Sequence, residues 1–225
     1  MKTNLFLILL LIHQFTLGQN KGKQFDEIII DSQNTQYISD LRYYVAAGTN
    51  KISRNKFLDS VANIRADYFL DVLEETAETF CLYDLTSLIP KNSTGHTRYF
   101  GTPGVFKEPK GCKFPERLPE LTRYNLKVKA EVMQQISWRK RSQYKYTTKK
   151  LVEMATLAMI KNFGKSYILD GYKLSTAHRN AIRENASGDF GVCTKALISK
   201  EWDNLEKEWV YEVVVYNLTV FSRSI

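Results

Sequence analysis

The chain has 225 residues, with 32 lysines and arginines against 24 aspartates and glutamates, for a formal net charge of +8. A charged fraction of 25% and a hydrophobic fraction of 44% are ordinary for a folded domain and exclude a disordered tail. Thirteen tyrosines and twelve phenylalanines supply the apolar volume for a substantial core.

Met1 to Gly18 carries one lysine, an apolar run from Leu5 to Ile12, and Thr16-Leu17-Gly18 ahead of Gln19. This is the layout of a cleaved secretory signal peptide. The run is too short to span a bilayer, which takes roughly 20 residues. No cysteine sits at the cleavage point, so a lipid anchor is not indicated. The expectation is an exported protein, secreted or periplasmic, with no transmembrane segment. Residues 1–18 are the signal peptide, 19–36 an N-terminal segment and 37–225 a single domain.

Phe25 to Val45 reads as a helix interrupted by the polar patch Ser32–Gln36, with Ile38, Leu41 and Val45 at helical spacing. Gly48 to Ser53 is a loop. Phe57 to Leu82 is a second helix, with Leu58, Val61, Ala62, Phe69, Val72 and Leu73 on one face. Residues 92–119 concentrate glycine and proline, and a stretch of that length is an irregular insertion. Leu126 to Val132 alternates apolar and polar residues, as a strand or a short helical turn. Lys149 to Phe163 is a helix, and Ser175 to Glu184 a short one. Asp189–Ile198 and Trp209–Phe221 read as paired strands, joined by a long exposed link. Helices come first and strands last without βαβ alternation, so the class is α+β.

Cys81, Cys112 and Cys193 can pair in three ways in an oxidising compartment. Cys81–Cys112 is the favoured pairing, because Cys112 lies in the Gly/Pro-rich loop while Cys193 reads as a buried strand residue; with an odd count, three free thiols are the alternative. The sequons at Asn92, Asn185 and Asn217 matter only in a glycosylating host.

Three histidines limit imidazole chemistry, and His13 falls in the signal peptide, leaving His96 and His178. With Ser175 as N-cap, its hydroxyl satisfies a first-turn amide and His178 takes the third helical position. The positive helix end disfavours imidazolium, and a neutral imidazole suits a metal ligand or a base. The bland alternative is a first-turn histidine bonded to backbone or water. Ser175 and His178 lack the third, orienting residue of a nucleophile triad, so no catalytic residue is assigned. His96, in Ser93-Thr94-Gly95-His96-Thr97, reads alone as a solvated loop residue. Phe163-Gly164-Lys165-Ser166 lacks the first glycine of a phosphate loop, since Met159 stands there. Trp138 to Lys150 holds six basic residues interleaved with aromatics. It reads as a solvated face or mobile insertion; the functional alternatives are a grip on nucleic acid, anionic lipid or an acidic envelope polymer, with no clear nucleic-acid signature.

Tyr172, Ser175, His178-Arg179, Ile182 and Phe190-Gly191-Val192 resemble the bacterial form of the CAP superfamily, the SCP-like extracellular domain of cysteine-rich secretory, antigen and pathogenesis-related proteins. Thr176-Ala177 replaces the family's Pro-Gly. Ile38–Arg42, Leu58–Phe69, His96 and Ala130-Glu131-Val132 follow in outline. The resemblance implies a three-layer α-β-α sandwich around a small antiparallel sheet. It also implies a ligand cavity carrying His96, Glu131, Ser175, His178 and Arg179. Glu153 is the nearest counterpart of a second cavity glutamate. His96 and His178 would be the metal ligands, for a divalent ion such as zinc. The implied role is a secreted binding module for a metal or small polar ligand, with a lipid as a further ligand. The competing readings are a metal-dependent hydrolase using Glu131 as base and an envelope-interaction protein acting through residues 138–150.

Overall fold

The computed structural model describes residues 24–46, 52–80 and 126–224. His96, Cys81, Cys112 and the stretch 92–119 lie outside them, as do residues 1–23, which include the expected signal peptide. Strands β1 (Gln24–Ile29), β3 (Leu126–Ser142), β4 (Asp189–Asp203) and β5 (Glu208–Ser224) form an antiparallel sheet in the order β1-β4-β5-β3. The two-residue β2 (Ser53–Arg54) pairs in parallel with the start of β4. The helices of the described residues are α1 (Asp31–Ala46), α2 (Lys56–Phe80), α3 (Thr148–Phe163), α4 (Tyr167–Leu174) and α5 (Thr176–Glu184). This mixture of helix with an antiparallel sheet is compatible with the expected α+β class, although β1 and β3 depart from the expected order of helices first and strands last. None of these helices is long and apolar enough to cross a membrane.

Side chains alternate between the two faces of a strand, and here both faces are covered. On β4, Phe190, Val192, Ala196 and Ile198 share a core with α1, α3, α4 and α5, through Leu41, Ala155, Tyr172 and Ile182. The intervening Cys193 and Leu197 pack with Leu58, Val61, Ala66 and Leu70 of α2. On β5, Val213 and Val215 join the first core while Val214 and Tyr216 join the second. Burial on both faces explains why β5 is apolar almost throughout rather than alternating. Cys193 is a buried free thiol, as its strand position predicts, and burial pushes its ionisation up to about 12.

Gly191 is required where α2 meets β4. The Val192 amide donates to Asp59 Oδ1 at 2.9 Å, and the Asn55 amide donates to the Phe190 carbonyl at 2.8 Å. These bonds draw the first turn of α2 onto the strand. A Cβ at position 191 would lie 2.0 Å from the Leu58 carbonyl carbon and 2.3 Å from the Asp59 nitrogen.

Three elements differ from the sequence reading. Phe25–Ile29 is strand, paired with Lys195–Ser199 of β4, and the helix starts only at Asp31. The polar patch Ser32–Gln36 opens that helix instead of breaking it, with the Gln33 and Asn34 amides donating to the Ile30 carbonyl. β3 runs on to Ser142, because Ile136 and Trp138 continue the period of two past Gln134 and Gln135. The link between β4 and β5 is short, because both strands extend to a turn over 204–207. Asp203 Oδ1 accepts from the Leu205 and Glu206 amides, and Lys207 takes a positive φ of 55° to close the turn.

At the other edge, Asp26 of β1 is bonded to the Lys200 ammonium of β4, and the Thr148 hydroxyl at the head of α3 donates to it. Partial burial works to raise the Asp26 carboxyl, but the Lys200 and Thr148 hydrogen bonds outweigh it and its pKa falls below the usual aspartate value.

Two outcomes follow from this packing. Gly191→Ala forces backbone apart from backbone and is expected to cost about 1–3 kcal/mol, as overpacking does, read from urea unfolding. Asp26→Asn removes the counter-charge of the buried Lys200, leaving it the Thr148 hydroxyl, and is expected to cost about 1–3 kcal/mol at neutral pH. A depressed carboxyl stabilises above its unfolded pKa, and that gain is lost as pH falls through the folded value. The gap between wild type and Asp26→Asn should therefore narrow below about pH 4 in an unfolding series.

Candidate ligand site at the head of α5

α4 and α5 are separated by one residue. Ser175 has φ −91° and ψ 120°, so its extended backbone stops α4 while its amide still donates to the Tyr172 carbonyl at 3.1 Å. Its side chain then caps α5, accepting from the His178 amide at 3.5 Å. The capping role expected from the sequence is thus met. His178 is half-buried, and its ring meets the Tyr172 ring edge-on with centroids 5.5 Å apart at 79°.

Tyr172 is fully buried and anchors this corner to the sheet. Its hydroxyl lies 2.8 Å from the Asn217 carbonyl oxygen, 2.9 Å from Asn217 Oδ1 and 3.2 Å from the Val132 carbonyl oxygen. Asn217 Nδ2 donates to Thr194 Oγ1 at 2.8 Å, and the Thr219 hydroxyl donates to the Tyr37 hydroxyl at 2.8 Å. Tyr37 in turn packs against Tyr172, ring centroids 6.0 Å apart. Burial raises both phenols well above their usual pKa, so they stay neutral. The network holds position and moves no proton at neutral pH.

Arg179 turns back onto α4. Its Nη1 donates to the Lys173 carbonyl at 3.2 Å and its Nη2 to Thr176 Oγ1 at 3.4 Å. It closes the end of α4, as a cation near a helix C-terminus does.

Glu131 lies elsewhere. Its neighbours Ala130 and Val132 pack in the core that contains Tyr172, and Glu131 points through the opposite face of β3 to α2. There Arg65 grips it with two bonds, Nε to Oε2 at 2.9 Å and Nη2 to Oε1 at 3.1 Å. Both side chains are buried, at 2% and 0% exposure. The Arg65 guanidinium also covers the Phe69 ring at 5.0 Å, and Phe69 stacks on Tyr216. Glu131 and His178 therefore sit on opposite faces of the sheet. Glu153 is half exposed on α3, 3.6 Å from Lys150.

Ser175, His178 and Arg179 are thus brought together, Glu131 is not, and His96 lies outside the described residues. Among the described residues no three His, Cys, Asp or Glu side chains gather as a metal site. Sequence reasoning missed Arg65, although its spacing from Leu58, Val61, Ala62 and Phe69 puts a cation inside the apolar stripe of α2. It also missed the Tyr172–Asn217 anchor, which pairs residues 45 apart.

No family model matches the chain, and neither a curated protein nor a solved structure does. The reading of the site therefore rests on its own geometry.

Glu131→Gln leaves a buried guanidinium without its counter-charge, and the expected cost is about 3–5 kcal/mol in urea unfolding. Replacing the pair together, as Arg65→Met with Glu131→Leu, should recover most of that loss.

Proposed function

We propose that this chain is an exported, CAP-like binding module, a three-layer α-β-α sandwich whose ligand cavity opens beside His178. The cavity takes a divalent metal such as zinc, or a small polar ligand in its place. One observation carries the reading: a half-buried imidazole set against the edge of an anchored tyrosine, on a helix head whose His178 backbone amide is capped by Ser175. The resemblance of Tyr172 to Val192 to the CAP superfamily adds the expectation that His96 faces His178 as the second ligand. Two histidines leave open positions on a tetrahedral ion, which suits capture of an exogenous ligand.

Binding is preferred to hydrolysis because the hydrolase reading needs Glu131 as a free base near the metal. A carboxylate held by two bonds to a buried guanidinium, on the opposite face from His178, is not placed to take a proton from a metal-bound water.

Calorimetric titration of the full chain with zinc tests the metal site. His178→Ala and His96→Ala should each weaken binding by about tenfold or more, as loss of one of few ligands does. Absence of zinc uptake by the wild type would sink the metal reading. Undiminished affinity in His178→Ala would remove His178 from the site.

A further inference from the structure

The alternation of β3, β4 and β5 sorts the hairpin end of the sheet by chemistry. On the α2 side stand Arg139 and Arg141 with the carboxylates that hold them. Arg139 meets Glu212 at 3.3 Å, and Arg141 meets Glu208 at 2.8 Å and Asp203 at 3.5 Å. The arginines of the basic run, each about half exposed, are thus paired with carboxylates on that face.

The other face carries all three tryptophans of the chain, Trp138, Trp202 and Trp209. Trp202 and Trp209 are cross-strand partners with ring centroids 5.5 Å apart, and both are only half-buried. Trp209 stacks on Tyr211 at 6.3 Å with an interplanar angle of 16°, which lengthens the aromatic surface. Tyr146 adjoins it, its ring centroid 5.7 Å from that of Tyr211, and two lysines lie over these rings: Lys145 Nζ is 4.9 Å from the Trp209 centroid, and Lys140 Nζ is 6.0 Å from that of Tyr146. Among the described residues neither lysine meets a carboxylate.

From this arrangement we infer a docking face for an acidic polysaccharide, with uronate-type sugars lying on the Trp202–Trp209 surface and their carboxylates meeting Lys140 and Lys145. The half-buried rings offer the apolar faces on which a sugar ring rests. The two cations stand ready to exchange a ring contact for an anion. Lysine is a point charge suited to dispersed carboxylates, whereas the arginine fork favoured for phosphate is turned to the opposite face and occupied. That asymmetry favours an acidic glycan over a nucleic acid. The face is distinct from the His178 site and does not depend on the function proposed for it.

The test is titration of the full chain with oligogalacturonate at low salt, followed by tryptophan fluorescence and calorimetry. The controls are the methyl-esterified, uncharged form of the same oligomer and single-stranded DNA. Oligogalacturonate should perturb the fluorescence, and its binding should weaken as salt rises. Lys140→Ala with Lys145→Ala should weaken it about tenfold, as loss of two close charge contacts does. Trp202→Ala should weaken it as well. Arg141→Gln and His178→Ala should bind as the wild type does. No binding by the wild type overturns the proposal, and so does equal binding of the esterified oligomer. Unchanged affinity in the double lysine variant overturns it too. DNA bound as tightly as oligogalacturonate overturns the assignment to a glycan.

Discussion

The side-chain amide of Asn217 is the point on which the rest of this structure turns. Its Nδ2 is committed to Thr194 on β4 and its Oδ1 to the Tyr172 hydroxyl on α4, at a position that is 1% exposed. A buried amide needs its partners, because each group left unmet costs the full loss of hydration. A slip of one residue between β4 and β5 would turn Asn217 to the other face, away from both. The apolar residues on either side fit a slipped register far more easily, since valine beside valine carries little positional information. The amide thus selects one register and, through Tyr172, one seat for α4. Ser175 and His178 inherit their positions from that seat.

The second core uses a different device. Arg65 and Glu131 tie α2 to β3 across 66 residues of sequence, with both side chains buried. Replacing such a pair with apolar side chains is often neutral or stabilising, so its value is in specifying which helix face meets which strand. Its chemistry also bears on function. A carboxylate needed to hold a helix is a poor base, and the two roles compete for the same oxygens.

The parts legible in the sequence are those whose signal is local. The spacing of Leu151, Ala155 and Met159 marks α3, the β-branched run after Trp209 marks β5, and Ser175 ahead of His178 marks a cap. Elements that depend on distant partners were not legible. Phe25–Ile29 has no clear period of its own and is strand because it meets Lys195–Ser199. The far half of β3 passes through two glutamines and five charged or hydroxyl residues, which hides a strand whose partner carries most of the apolar content. α4, eight residues long and one residue from the next helix, was not assigned, because two turns are too short to show a helical period. The site was half legible. The cap and imidazole follow from spacing, whereas the face on which Glu131 falls depends on a register that the sequence does not state.

Asn217 has one more consequence, because it opens an Asn-Leu-Thr sequon. In a host that glycosylates nascent chains, the acceptor nitrogen is the same atom that must reach Thr194. A sugar added there before β5 closes on β4 cannot be buried, and the hairpin cannot form in its register. In such a host, folding and modification become competitors for a single nitrogen. The yield of native protein is then set by which arrives first.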